Sequence, residues 1–276
     1  MSSDSDRGAD RPLSRPLLLG MGFGISALST LCGIGGGVFA VPVLHYLFGV
    51  PLKRAVATVL CLVWCVALSA TASEALHAGS ALNLHVVAAL VAGVLVGTRL
   101  GYELARRMPV QRLKLVFCLL FVVMGLQLAL SGDASPAAVD PREFELALSQ
   151  VWIVVAIGLV AGILVPMLGI GGGLVMVPVL IMVLPGMGFL AARAASLATA
   201  VLSSSRSLLL YRGSGLVDWR VGRWFGTGAA LGAILGVRLV HLEGVARVGR
   251  SALGGILLFA ALRFGLDCWR ARKDPA

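Results

Sequence analysis

Long uncharged stretches alternate with short groups of basic residues along this chain. Windows without an Asp, Glu, Lys or Arg cover residues 17–31, 55–73, 84–97, 115–131 and 150–192. Most of these windows approach the roughly 20 residues that a helix needs to cross about 30 Å of hydrocarbon. Of all 276 residues, 58% are hydrophobic and only 13% are charged. The pattern therefore predicts an all-α integral membrane protein.

One twelve-residue segment occurs twice with only three letters changed. GIGGGVFAVPVL begins at Gly33, and GIGGGLVMVPVL begins at Gly169. Each copy places four glycines and a proline inside an apolar run. Glycine weakens a helix and proline interrupts its hydrogen bonds, so we expect a helix break at both places.

The similarity extends beyond this motif. RAVATVLCLV from Arg54 matches RAASLATAVL from Arg193, and GVLVGTRL from Gly93 matches GAILGVRL from Gly232. The paired landmarks lie 136 to 139 residues apart. The chain is therefore predicted to contain two copies of one unit, each a glycine-tipped helical hairpin followed by three transmembrane helices, with about 8–10 helical segments in all. The predicted divisions are a disordered polar tail (1–14), a first repeat (15–131), an acidic external linker (132–149), a second repeat (150–269) and a basic cytoplasmic tail (270–276).

The charged residues predict how the units are oriented. The net charge is +10, and the basic residues form short clusters between apolar runs. Such clusters face the cytoplasm in membrane proteins, and they do not predict nucleic-acid binding here. An acidic linker outside and basic ends inside give each repeat an odd number of crossings. The repeats are thus predicted to be inverted, with both termini cytoplasmic in the inner membrane, although Arg247 and Arg250 fall on the wrong side.

The two glycine runs are the candidate substrate site. The short segments 38–48 and 174–184 are predicted to be helices whose N-termini face the glycines. A helix N-terminus carries partial positive charge and unpaired N–H donors, which attract anions. Inverted repeats with broken helices are typical of secondary transporters with a midplane site. We define the glycine cradle by six predicted substrate-binding residues, Gly35, Gly36, Gly37, Gly171, Gly172 and Gly173. The alternative is that these glycines only allow tight packing.

Four further residues belong to the predicted site. Pro42 and Pro178 follow the glycine runs and are candidates for a gating hinge, with a simple kink as the alternative. Thr58 and Thr199 lie on the helices that follow and are predicted to offer hydroxyls to the substrate, although such hydroxyls also bond to their own helix backbone.

The paired GIGGG-x-x-x-VP motifs, each leading a repeat of about 120 residues, resemble the TauE/SafE family of sulfite exporters and related permeases. The resemblance covers nearly the whole chain except the tail and linker. It implies transport of a small sulfur-containing or organic anion, such as sulfite or a sulfonate, and it does not define which anion this chain carries.

Other conspicuous residues are interpreted as structural. Glycines spaced by four, at 93, 97 and 101 and at 228, 232 and 236, are predicted to let helices pack closely. Arg54, Arg193, Arg99 and Arg238 are interpreted as headgroup anchors, with anion attraction as the alternative. Glu74 and His77 are expected at a solvated helix end, with a role in carrying a coupling proton as the alternative. Cys61 and Cys65 are interpreted as buried small residues, and His45 as a packed polar residue of the first hairpin.

The sequence predicts a secondary transporter of a small anion, such as sulfite, an organosulfonate or a small carboxylate. An anion channel on the same scaffold and a non-transporting membrane partner protein are the alternatives. No nucleophile–base pair or metal-ligand spacing is found, so no enzyme, catalytic residue, metal site or cofactor is predicted. The expected partners are the anion and the lipid bilayer, while a coupling proton or cation and a homo-oligomer stay open.

Overall fold

The computed structural model describes residues 14–31, 35–76, 82–130, 148–184 and 186–240, together with positions 258, 261, 262, 265 and 266. The side chains of residues 124–130, 148 and 240 are not described. Several predictions concern residues outside these ranges: nearly all of the N-terminal tail, Gly33, His77, most of the linker, Arg247, Arg250 and the C-terminal tail.

The described residues form helices and no strand, which confirms the all-α prediction. The helices are α1 (Arg15–Leu31), α2 (Gly37–Pro42, continued by a π-helical turn, Val43–Leu47), α3 (Leu52–Ala75), α4 (Leu84–Arg107), α5 (Val110–Leu130), α6 (Leu148–Leu168), α7 (Gly173–Val183), α8 (Phe189–Arg212) and α9 (Trp219–Val240). The predicted short helices after the glycines are present as α2 with its π-helical turn and as α7, each within one residue of the predicted bounds.

Three described helices are long and apolar enough to cross a membrane by length and composition. They are Leu52–Ala75, Leu84–Arg107 and Ser149–Leu168. Large apolar side chains on the outer surface of the bundle, such as Leu119, Trp152 and Leu231, are more than half exposed. Such a surface matches lipid rather than water, because large apolar side chains are exposed on it.

The helices of the two halves interleave. Helix α4 of the first half packs along α6, and α9 of the second half packs along α1. Between these pairs, α3 and α8 pack against each other, and α2 and α7 lie against α3 and α8 respectively. The first helix of each half is therefore held by the third long helix of the other half.

Closely spaced glycines make this interleaving tight. A Cβ atom placed on Gly93 or Gly97 would lie 2.0 Å from the Val155 carbonyl oxygen or 2.3 Å from that of Leu159, both on α6. On the other pair, a Cβ on Gly232 would lie 2.1 Å from the Phe23 carbonyl oxygen. No side chain fits at such distances, so the predicted packing role of these glycines is confirmed.

Helix α1 allows a matched test of this packing. We expect Gly22→Leu to lower the melting temperature and the monodisperse fraction in detergent, because a Cβ at Gly22 would meet the Phe225 carbonyl oxygen at 2.3 Å. Overpacking of this kind costs about 1–3 kcal/mol or more. Gly24→Leu is the control, since nothing lies within 4 Å of a Cβ there. Equal melting temperatures for the two variants would contradict the packing of α1 against α9.

Candidate functional site

The two glycine motifs adopt the same backbone conformation. Gly36 precedes α2 with φ 79° and ψ −25°, and Gly172 precedes α7 with φ 80° and ψ −23°. Gly35 and Gly171 also have positive φ, at 68° and 78°. This left-handed region is strained for any residue with a Cβ, which explains why glycine stands at these positions in both copies.

The two motifs touch each other inside the protein. A Cβ on Gly37 would lie 1.9 Å from the carbonyl oxygen of Gly169, so the backbones are in direct contact. The side chain of Val63 lies against both Gly35 and Gly171. Val63 stands at the middle of the 24-residue helix α3. The starts of α2 and α7 therefore meet halfway along a helix long enough to span the membrane.

The meeting point is enclosed. Residues 35–41 and 165–174 are all buried. By helix geometry, the first amides of α2 and α7 have no partner within their own helix, and glycine at the N-cap offers no side chain to accept from them. This arrangement brings two sets of backbone donors and two positive helix ends together in an apolar environment.

A buried ion pair lies at one end of the α3–α8 pair. The Nη1 atom of Arg193, near the start of α8, is 3.2 Å from the Oε2 atom of Glu74, near the end of α3. Their side chains are 0% and 1% exposed. The Nε atom of Arg193 also donates to the Thr30 carbonyl oxygen of α1 at 3.0 Å. Removing one member of such a pair leaves a buried charge and costs roughly 3–5 kcal/mol.

Two interpretations from the sequence are wrong here. Arg193 was expected to be a headgroup anchor and Glu74 to lie at a solvated helix end, yet both are enclosed by protein. The sequence could not show this, because the two residues are 119 positions apart and meet only through the packing of α3 on α8. Arg54, the residue that matches Arg193 in the first repeat, is exposed.

An aromatic residue at the opposite end of α8, Tyr211, contacts α6. The Tyr211 hydroxyl donates to the Pro166 carbonyl oxygen of α6 at 2.8 Å, and its ring meets that of Tyr102 edge-on with centroids 4.9 Å apart. Pro166 and Thr30 hold matching places in the two repeats, each just before a glycine motif. Side chains of α8 thus bind carbonyls at the ends of both α1 and α6, one through a cation and the other through a phenol.

Comparison with known proteins identifies the family of this chain. The family model described as "Sulfite exporter TauE/SafE" matches residues 2–128 and 154–276. The chain belongs to this family. A similar protein, "Probable membrane transporter protein YunE" of Bacillus subtilis (strain 168), is 29% identical over 114 residues. These residues are 41% of this chain and 41% of that protein, so the match spans less than half of the relative's length. No solved structure matches the chain.

The predicted hydroxyl ligands of this TauE/SafE family member have hydrogen-bond partners within the protein. Thr58 accepts a hydrogen bond from the Asp218 amide at 3.0 Å, and the Thr199 hydroxyl donates to the Ala195 carbonyl at 2.7 Å. Thr58 and Val63 are five positions apart, which puts them on different faces of α3. A substrate-binding role for Thr58 and Thr199 stays a prediction that these contacts do not support.

The two prolines differ in their surroundings. Pro42 ends α2, and the chain continues from it as a π-helical turn, whereas Pro178 lies within the regular helix α7. π-Helical turns often mark functional sites. A hinge role for either proline stays a prediction, and Pro42 has the more irregular backbone.

The remaining singled-out residues have ordinary packing roles. Cys61 and Cys65 face Gly222 and Gly226 of α9; Cys61 is buried, as interpreted, whereas Cys65 is only half-buried. His45 contacts the Val50 carbonyl through Nδ1 at 2.9 Å within the first hairpin. The Arg99 side chain is 73% exposed and lies 4.0 Å from Glu103, as expected of an anchor. Arg238 is also exposed. No group of three or more metal-ligating side chains occurs among the described residues.

The contact at the tyrosine end can be tested with a matched pair of variants. We expect Tyr211→Phe to lower the free energy of unfolding by about 1 kcal/mol or more, because it leaves the buried Pro166 carbonyl without a donor. Tyr102→Phe should have a smaller effect, since the ring contact is kept. Thermal unfolding in one detergent measures both variants. A larger loss of unfolding free energy for Tyr102→Phe than for Tyr211→Phe would contradict a stabilising role for the hydrogen bond to Pro166.

Proposed function

We propose that this protein is a secondary transporter that moves a small anion across the cytoplasmic membrane. Sulfite, an organosulfonate or a small carboxylate is the proposed substrate. The family name and the relative described as a membrane transporter support transport in general, and they give no reason to expect an enzyme. The substrate, the direction of transport and the position of the termini are part of this proposal.

The contact between the two glycine motifs carries the proposal. The starts of α2 and α7 meet at Val63, halfway along α3, among buried residues. An oxyanion fits such a place because several backbone donors and two helix ends can replace its water. Glycine is needed because the left-handed backbone and the close approach exclude a side chain.

The matching geometry of the two motifs supports an inverted repeat. Related halves that face opposite sides of the membrane would bring equivalent helix starts to one midplane point, as in other secondary transporters. The interleaved contacts of α1 with α9 and of α4 with α6 are those expected of two similar halves.

Burial of the glycine motifs favours a carrier over a channel. The motifs lie between the ion pair at one end of α8 and Tyr211 at the other. A carrier exposes its site to one side at a time, so an enclosed site is one of its expected states.

The proposal is tested by flux in proteoliposomes. We expect sulfite, methanesulfonate or acetate to enter vesicles containing the protein with saturable kinetics and with counterflow, both of which a channel lacks. Unsaturable flux without counterflow would favour the channel. Absence of flux for every anion in this panel would overturn transport and favour a non-transporting membrane partner.

Valine variants test the glycine cradle itself. Gly36→Val and Gly172→Val should remain in the membrane but lose flux, because valine disfavours the left-handed backbone that directs the amides. A hydrogen bond to a charged group contributes roughly 1.5–3 kcal/mol, so loss of one predicts about ten- to hundredfold weaker transport. Gly24→Val is the control, because its position is open. Normal flux in both cradle variants would refute the site.

A further inference from the structure

The buried pair of Arg193 and Glu74 is placed where it adds little to stability. Arg193 lies near the start of α8 and Glu74 in the last turn of α3. Each charge has the sign that the nearby helix end disfavours. Buried ion pairs are weak contributors to stability compared with apolar residues of the same size. An ionisable pair inside a membrane protein marks an ion or proton pathway more often than a structural contact.

Unpartnered hydroxyls surround this pair. The side-chain oxygens of Thr30, Thr71 and Ser196 and the Oε1 atom of Glu74 are buried without a hydrogen-bond partner within the described structure. Ser196 follows Arg193 by three residues on α8, and Thr71 precedes Glu74 by three on α3, so each lies beside its charged neighbour on the faces that meet. Buried polar atoms nearly always have a hydrogen-bond partner, so these four oxygens have the capacity to bind a water molecule, an ion or a substrate. We call these five residues (Thr30, Thr71, Glu74, Arg193 and Ser196) the ion-pair cluster.

A groove lies beside the same turn of α3, on the face opposite Glu74. Its volume is about 610 Å³, it runs between α3 and α9, and Ser69, Ser73 and Arg238 are among the residues that line it. Ser73 is adjacent to Glu74 in the chain. Gly236 of α9, close to this groove, lies against Thr30. Arg238, which is exposed, places a cation on the wall of this groove.

We propose that Arg193 binds the transported anion in exchange for Glu74, and that Glu74 takes up one proton when it is displaced. This inference rests on the proposed transport function. A buried site of this kind is stable only when its charges balance. With no anion, Arg193 pairs with ionised Glu74. With a singly charged anion on Arg193, Glu74 carries a proton on its carboxylate, so one anion and one proton move together.

The contacts of Glu74 within the described part of the chain include one charged side chain, that of Arg193. Among the described residues, α8 presents Arg193 to Glu74, α1 presents the uncharged Thr30, and α9 has Arg238 on the neighbouring groove. His77 lies outside the described residues. The hydroxyls of Thr30 and Ser196 and the guanidinium of Arg193 offer the donors that a sulfonate or carboxylate group needs.

The test measures pH-driven transport of methanesulfonate, or of another monovalent sulfonate if methanesulfonate is not carried. Methanesulfonate keeps one negative charge at all relevant pH values, so a pH effect reports on the protein. Wild-type vesicles that are acidic outside should accumulate the anion. Glu74→Gln imitates the protonated carboxyl, so it should lose at least about tenfold of the gradient-driven accumulation while anion exchange persists and no longer rises as the pH falls.

Arg193 is tested by a charge-balanced variant. The double variant Arg193→Gln with Glu74→Gln removes both buried charges, so it should fold yet neither exchange the anion nor gain thermal stability from it. Arg54→Gln is the matched control, since Arg54 holds the corresponding place in the first repeat but is exposed. It should transport as the wild type does.

The outcomes separate this inference from the proposed function. Saturable wild-type flux together with full gradient-driven accumulation by Glu74→Gln would overturn the proton coupling only. Anion exchange by the double variant at the wild-type rate would overturn the role of Arg193. Absence of wild-type flux for the whole anion panel would overturn both the proposed function and this inference.

Discussion

Backbone amides and charges inside a membrane have to find partners within the protein, and this constraint shapes the whole molecule. The glycine motifs interrupt helices at a depth where water cannot satisfy the free amides. They are stable because each is packed against the other and against Val63 of α3. The interleaving of the halves follows from this, since α1 and α6, which deliver the motifs, are each held by a glycine-rich helix of the opposite half.

Side chains at the two ends of α8 donate hydrogen bonds to equivalent backbone carbonyls, but through different chemical groups. Arg193 donates to the end of α1, and Tyr211 donates to the end of α6. A phenol needs no counter-charge, whereas a buried guanidinium does, and Glu74 supplies it. The pseudo-symmetry of the sequence is therefore broken where the polar groups are placed.

The close packing of α4 on α6 and of α9 on α1 gives the bundle a rigid frame. A Cβ built on the glycines that line these two contacts would lie about 2 Å from a carbonyl oxygen of the opposing helix. No larger side chain therefore fits at these positions. Helices α2 and α7 are shorter and contain Pro42 and Pro178. Movement during transport is easier to accommodate in these short broken elements than in the paired long helices, since proline removes a backbone bond there.

The pattern of hydrophobic residues and the repeated sequence motifs determined the local features of this protein. The membrane class, the two glycine breaks, the short helices after them and the close-packed glycines all follow from residue types within a few positions of each other, because helix propensity and spacing are local. The pairing of Glu74 with Arg193 and the hydrogen bond from the Asp218 amide to Thr58 are decided by how α3, α8 and α9 pack. Such contacts join residues more than a hundred positions apart. Two arginines in matching sequence therefore have opposite environments, and only the tertiary structure distinguishes them.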